Sequence, residues 1–61
     1  METEQFRIGS PVRSRRSGRL GMICNVTTHH TERGPIDIYE VKFMGSRSAS
    51  VMRTEDLISD L

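Results

Sequence analysis

The sequence predicts an all-β fold, a small barrel of about four to five short antiparallel strands with a single C-terminal helical turn. Three observations carry this expectation. Ile36 to Phe43 alternates, with Tyr39, Val41 and Phe43 on one face and Ile38, Glu40 and Lys42 on the other, which is the period of a strand half buried in a sheet. An earlier apolar run, Leu20 to Val26, is joined to it by the polar stretch Thr27 to Pro35, so the two runs form a long hairpin. The flanking apolar residues come in short pieces set off by Gly9-Ser10-Pro11 and by Met44-Gly45-Ser46-Arg47-Ser48, both of them turn chemistry.

Taken in order, Met1 to Gln5 has nothing to bury and is expected to be a flexible N-terminus, leaving residues 6–61 as the domain. Phe6 and Ile8 begin the apolar contacts. Val12-Arg13 follows Pro11 as a short strand with Val12 inward, since proline suits a strand start or an edge. Ser14 to Arg19 is a polar loop containing Gly18. In the next run Gly21 predicts a bend or a bulge. If Ile23 and Val26 both face inward a bulge lies between them, and if Met22, Cys24 and Val26 do, the strand is regular; the residues alone leave both open. Cys24 is expected to be a small half-buried hydrophobe in either case.

Thr27 to Pro35 is too long for a two-residue turn and predicts a mobile tip. Ala49 to Arg53 alternates again as a short strand, with Val51 as its inward anchor. Thr54-Glu55-Asp56-Leu57 has the form of a helix start, Thr54 as N-cap and two acids in the first turn, where the helix dipole favours them. Leu57, Ile58 and Leu61 give that turn an apolar side able to plug the end of a sheet.

With 61 residues the chain is a single domain with a thin core, because a domain of this size buries only about 60% of its unfolded surface. Its one cysteine, Cys24, forms no internal bridge, which predicts a reducing, cytoplasmic setting. The acidic opening Met1 to Gln5, with no long apolar run after it, predicts neither a signal peptide nor a membrane span. The net charge of +1 conceals a segregation: all nine Lys and Arg residues lie between Arg7 and Arg53, where only Glu32, Asp37 and Glu40 oppose them, a local balance of +6. The remaining acids occupy the two ends. Such a middle points to an anionic partner, unless the acidic ends fold beside it and neutralise it.

Arg15, Arg16 and Arg19 share one loop with no acid in it, and are expected to point into solvent or at a partner. Arg13, Arg33 and Arg47, with Arg53, are the second-line candidates. Adjacent His29 and His30 point to opposite sides of an extended chain, and no further Cys or His completes a ligand set, so no metal site is expected. No carboxylate pair, nucleophile with a base, or phosphate-cradling glycine loop can be assembled, which predicts a non-enzymatic chain without catalytic residues or cofactor.

Pro11-Val12-Arg13, then Gly18 to Val26, then Tyr39 to Phe43, closing with Glu55-Asp56-Leu57, resembles the SH3-like small barrels of the tudor and KOW kind over about three quarters of the chain. Relatives of that kind bind nucleic acid, polymerase or acidic protein carriers. The resemblance implies that the loops after the first two strands flank one binding face, which places Arg15, Arg16, Arg19 and the His29 to Arg33 tip together. A methyl-reading aromatic cage is not expected, because Phe6, Tyr39 and Phe43 are the only aromatics and most are claimed by the core. The plasmid type II dihydrofolate reductases are also short SH3-like chains, acting as oligomers, and are a remote alternative. Where they carry Val-Gln-Ile-Tyr this chain has Ala49-Ser50-Val51-Met52, without the glutamine and tyrosine.

The expectation for function is therefore a small binding module presenting a basic, loop-built face to nucleic acid or to a transcription or translation complex. The alternative is a docking or regulatory subunit that recognises an acidic or apolar protein surface. An apolar outer side at Ile36, Ile38 and Met44 motivates it, and self-association into a homo-oligomer would cover that side equally well.

Overall fold

A computed structural model describes residues 6–60; the expected flexibility of residues 1–5 and the plugging role of Leu61 fall outside these residues. The described chain is all-β. Strands β1 (Pro11–Ser14), β2 (Leu20–Thr31), β3 (Gly34–Phe43), β4 (Ser50–Arg53) and β5 (Leu57–Ser59) form one antiparallel sheet in the order β4-β3-β2-β1-β5, with a single 3₁₀ turn, Thr54–Asp56, between β4 and β5. No helix among the described residues is long and apolar enough to cross a membrane.

The predicted barrel is not closed, because the two outer strands β4 and β5 do not pair with each other. The sheet is nonetheless strongly curled. Laid flat, the outer members of five strands stand about 19 Å apart at ~4.8 Å per neighbour, yet a three-residue link joins them. Such a link spans about 14 Å fully extended and about 8 Å with a 3₁₀ rise, so the sheet must bend until its edges approach.

The concave side holds the core: Val12, Ile23, Tyr39, Val41, Phe43 and Leu57 are buried, with Phe6, Val26 and Met52 packed against them. Alternation on β3 delivers Tyr39, Val41 and Phe43 to that side as expected. Register then settles β2. Ile23 pairs with Val41 and Val26 with Tyr39, and the register shifts between Ile23 and Asn25, so a bulge at Cys24 lets both Ile23 and Val26 face inward. Consequently Cys24 is exposed and Met22 is 53% exposed, which corrects the half-buried placing of the cysteine.

Gly21, expected to mark a bend, instead marks a close approach. A Cβ there would lie 2.8 Å from both Phe43 Cδ1 and Val41 Cγ1 and 3.0 Å from the Lys42 carbonyl oxygen. Ahead of β1, Phe6 meets Tyr39 edge to face with ring centroids 5.4 Å apart, while Ile8 stays exposed.

Three expectations near the strand ends are overturned. The stretch Thr27 to Pro35 is no long loop: β2 and β3 continue in register to Thr31 and Gly34 and leave only Glu32 and Arg33 as the turn. Its β-branched threonines continue a strand as readily as apolar residues where no burial is demanded. The positive φ needed to return the chain falls on Gly34, at 115°, and Thr31 Oγ1 ties the turn by donating to the Gly34 carbonyl at 2.7 Å.

On β4, Met52 pairs with Tyr39 and packs on the core, while Val51 pairs with Glu40 and is 69% exposed. Val51 is therefore not the anchor. A four-residue strand with apolar side chains at both parities takes its facing from its partner strand.

Thr54 does not cap a helix. The 3₁₀ turn starts after Arg53, whose amide donates to Asp56 Oδ2 at 3.4 Å, and the Leu57 amide closes onto the Thr54 carbonyl before the chain leaves as β5. Leu57 is buried and Ile58 exposed. Replacing Thr54 by alanine should leave stability within about 0.5 kcal/mol, whereas Asp56→Ala should cost about 0.5–1 kcal/mol, the low end for a lost cap. Urea denaturation of the two variants checks the order, and a larger loss at Thr54 would restore it as the cap.

Candidate functional site

Successive hairpin loops of an antiparallel meander lie at alternate ends of the sheet. The loop between β1 and β2 (residues 15–19) and the loop between β3 and β4 (residues 44–49) therefore share one end, and the Glu32-Arg33 tip lies at the other. The twelve residues of β2 separate the ends by about 36 Å at ~3.3 Å per residue, in accord with the 36 Å long axis of the molecule. Arg33, His29 and His30 thus do not join Arg15, Arg16 and Arg19, contrary to what the barrel resemblance implies. Arg47 joins them instead. His29 and His30 pair across the ribbon with Ile36 and Pro35 on opposite faces.

Local bonds hold the 15–19 loop tightly. The Gly18 amide donates to the Ser14 carbonyl at 2.7 Å, the Ser17 amide to Ser14 Oγ at 3.2 Å, and the Ser14 amide to the Arg19 carbonyl at 3.0 Å. Ser14 is the buried polar residue of the described chain, and this loop is what uses its hydroxyl. Arg19 then fastens one loop to the other: its Nη2 donates to the Met44 carbonyl at 2.7 Å and its guanidinium lies 6.0 Å above the Phe43 ring centroid.

Not every loop arginine reaches freely into solvent. The Arg15 amide and Nε donate to the Asp56 and Glu55 carbonyls at 2.9 and 3.0 Å. Arg13 bonds Asp60 Oδ1 at 2.8 Å through Nε and donates to the Gly18 carbonyl at 2.9 Å. Arg53 approaches Glu55 at 4.0 Å. The C-terminal acids therefore fold beside the basic segment, as the neutralising alternative requires, but they engage the guanidinium groups of only Arg13 and Arg53. Both pairs are exposed, and such pairs contribute about 0–1 kcal/mol.

A guanidinium bonded to a neutral carbonyl keeps its charge and is held in place. Among the described residues, Arg15, Arg16, Arg19 and Arg47 consequently sit at one end without a carboxylate on their side chains, and Arg16 and Arg47 make no side-chain hydrogen bond at all. Asp56 lines a small depression together with Arg16, Ser14 and Met52. Tyr39 and Phe43 are buried and Phe6 is half buried against Tyr39, so this end offers no aromatic face to a nucleobase.

A second feature adjoins it. Beside the Met44–Ser46 turn, at that end of β2 and β3, lies an open groove of about 420 Å³ lined mainly by Leu20, Gly21, Met22, Cys24, Phe43 and Met44. Lys42 also lines it. Sequence reasoning saw only Met44 of this set, because the outward turn of Met22 and Cys24 follows only once the bulge between Ile23 and Asn25 is known. No protein-family model, curated protein or solved structure matches the chain.

Proposed function

We propose that the chain is a small non-catalytic binding module that grips the phosphate backbone of nucleic acid with the end of the sheet built from residues 15–19 and 44–49. The observation that supports this most directly is the meeting of these two loops through Arg19, which groups Arg15, Arg16, Arg19 and Arg47. Planar guanidinium groups suit phosphate oxygens, and pinning two of them to main-chain carbonyls reduces the entropy lost on binding. Without an exposed aromatic platform the mode is backbone contact rather than base stacking, so duplex should be preferred over single strands. The curled five-strand meander is compatible with an open member of the tudor and KOW kind, whose binding work would agree with this reading.

Titration of labelled duplex and single strands at two salt concentrations tests the proposal. Each neutralised phosphate should contribute about −0.9 to the slope of log affinity against log salt on duplex DNA. Arg16→Ala combined with Arg47→Ala should weaken binding at least tenfold and flatten the slope by about 2, because neither side chain is engaged by another group among the described residues. Arg33→Ala, about 36 Å away along the ribbon, should change neither. Equal effects of Arg33 and of the Arg16/Arg47 pair would remove the assignment of this end, and no binding at low salt would remove nucleic acid as the partner.

A further inference from the structure

The groove beside Met44 is built for something other than phosphate. Its apolar lining includes Leu20, Met22, Phe43, Met44 and the exposed Cys24, and Met22 and Met44 remain 53% and 66% exposed. Methionine walls adapt their shape to varied apolar side chains. The charged groups at the groove carry one sign: Lys42 lines it, and Arg19 borders it, with Nη2 on the Met44 carbonyl and 3.6 Å from the position a Cβ would take on Gly45. Among the described residues no Asp or Glu lines it.

We infer that this groove docks a short segment of another protein that presents apolar side chains flanked by Asp or Glu. Apolar side chains would cover Met22 and Met44, and the flanking carboxylates would meet Lys42 and Arg19. Charge complementarity selects this occupant over the other candidates. A second copy docked on the same groove about a twofold axis would bring two patches of like charge together and supply no carboxylate from the groove lining to Lys42 or Arg19. Nucleic acid would gain nothing from an apolar lining, and Phe43, the aromatic that lines the groove, is only 7% exposed and offers no face for stacking. The volume, about 420 Å³, lies within the range of clefts that enclose ligand groups rather than single ions.

Cys24 is the chain's one cysteine and lies in the groove, so it reports occupancy directly. The experiment measures the rate at which Cys24 of the intact chain reacts with neutral N-ethylmaleimide, alone and with three eight-residue peptides: alternating Glu and Leu, alternating Lys and Leu, and all Glu. The Glu/Leu peptide should bind and slow alkylation at least fivefold, and the other two should leave the rate unchanged. Met44→Glu alters an exposed position and introduces an acid at the groove; it should weaken Glu/Leu binding at least tenfold with an unchanged thermal midpoint. Lys42→Glu should act in the same direction.

Equal protection by the Lys/Leu and Glu/Leu peptides, no protection by Glu/Leu at millimolar concentration, or indifference to both substitutions would overturn the inference. So would protection that rises with the concentration of the chain alone, which would assign the groove to a second copy. Arg16 and Arg47 do not line the groove. The Arg16→Ala, Arg47→Ala double variant should therefore keep peptide binding while losing nucleic acid, so each proposal fails or stands separately.

Discussion

Leu57→Ala is expected to lower the thermal midpoint by about 10 °C or more, corresponding to a loss of about 2–5 kcal/mol. A chain of this length has roughly 3–9 kcal/mol of total stability, so one leucine is a large share of it. The reason lies in how little holds β5. That strand has three residues, pairs with β1 through Val12, Arg13 and Ser14, and sends only Leu57 into the core, while Ile58 faces outward. Removing the Leu57 side chain leaves a cavity in the core opposite Ser14 and takes from β5 its apolar reason to remain on the sheet. Val51→Ala is the matched comparison, since that side chain is 69% exposed and its truncation should stay within about 0.5 kcal/mol. Thermal melts of both variants decide between the two valuations. An early melt for Val51→Ala with a normal one for Leu57→Ala would mean that the facing of β4 and β5 is inverted.

Gly21→Ala should be the next most damaging change, by about 1–3 kcal/mol, and Gly21→Val worse. The argument is steric. Gly21 sits in register between Val12 and Phe43, and its φ is not among the positive values found at Gly9, Gly18, Gly34 and Gly45. Alanine therefore meets no backbone penalty there, but its methyl group would stand 2.8 Å from the buried side chains of Phe43 and Val41. Neither neighbour is a loose chain end that can swing away, and the Lys42 carbonyl at 3.0 Å is main chain. Relief requires β2 and β3 to separate, which weakens the pairing that holds the sheet together. Equilibrium urea denaturation measures the loss; an alanine variant as stable as the parent would show that the strands yield more easily than their packing indicates.

The fold was legible where burial imposed a period. On β3 one face is core and the other is not, so Tyr39, Val41 and Phe43 announce themselves by alternation, and Val12 does so by standing between Pro11 and Arg13. Leu57 was legible too, as an apolar residue directly after two acids in a segment otherwise read as a turn. At the candidate site the residue types were readable, since a loop with three arginines and no acid shows its charge directly. The segregation of acids to the chain ends was equally plain, although nothing in it indicated that Asp60 would pair with Arg13 or that Glu55 and Asp56 would offer their carbonyls to Arg15.

By itself, then, the amino-acid order determined the fold class, the central hairpin, the apolar face of β3 and the arginines of the first loop. Pairing decided the rest. The inward turn of Ile23 and Met52, and the outward turn of Cys24 and Val51, follow from register with β3, because a one-residue shift moves a side chain to the other face and these short apolar segments have no period strong enough to forbid it. Which arginines meet was likewise decided in three dimensions. In a meander, alternate loops share an end, so Arg47, 28 positions beyond Arg19, lies with it, while Arg33, 14 positions beyond Arg19, is held a full strand length away by the β2–β3 ribbon.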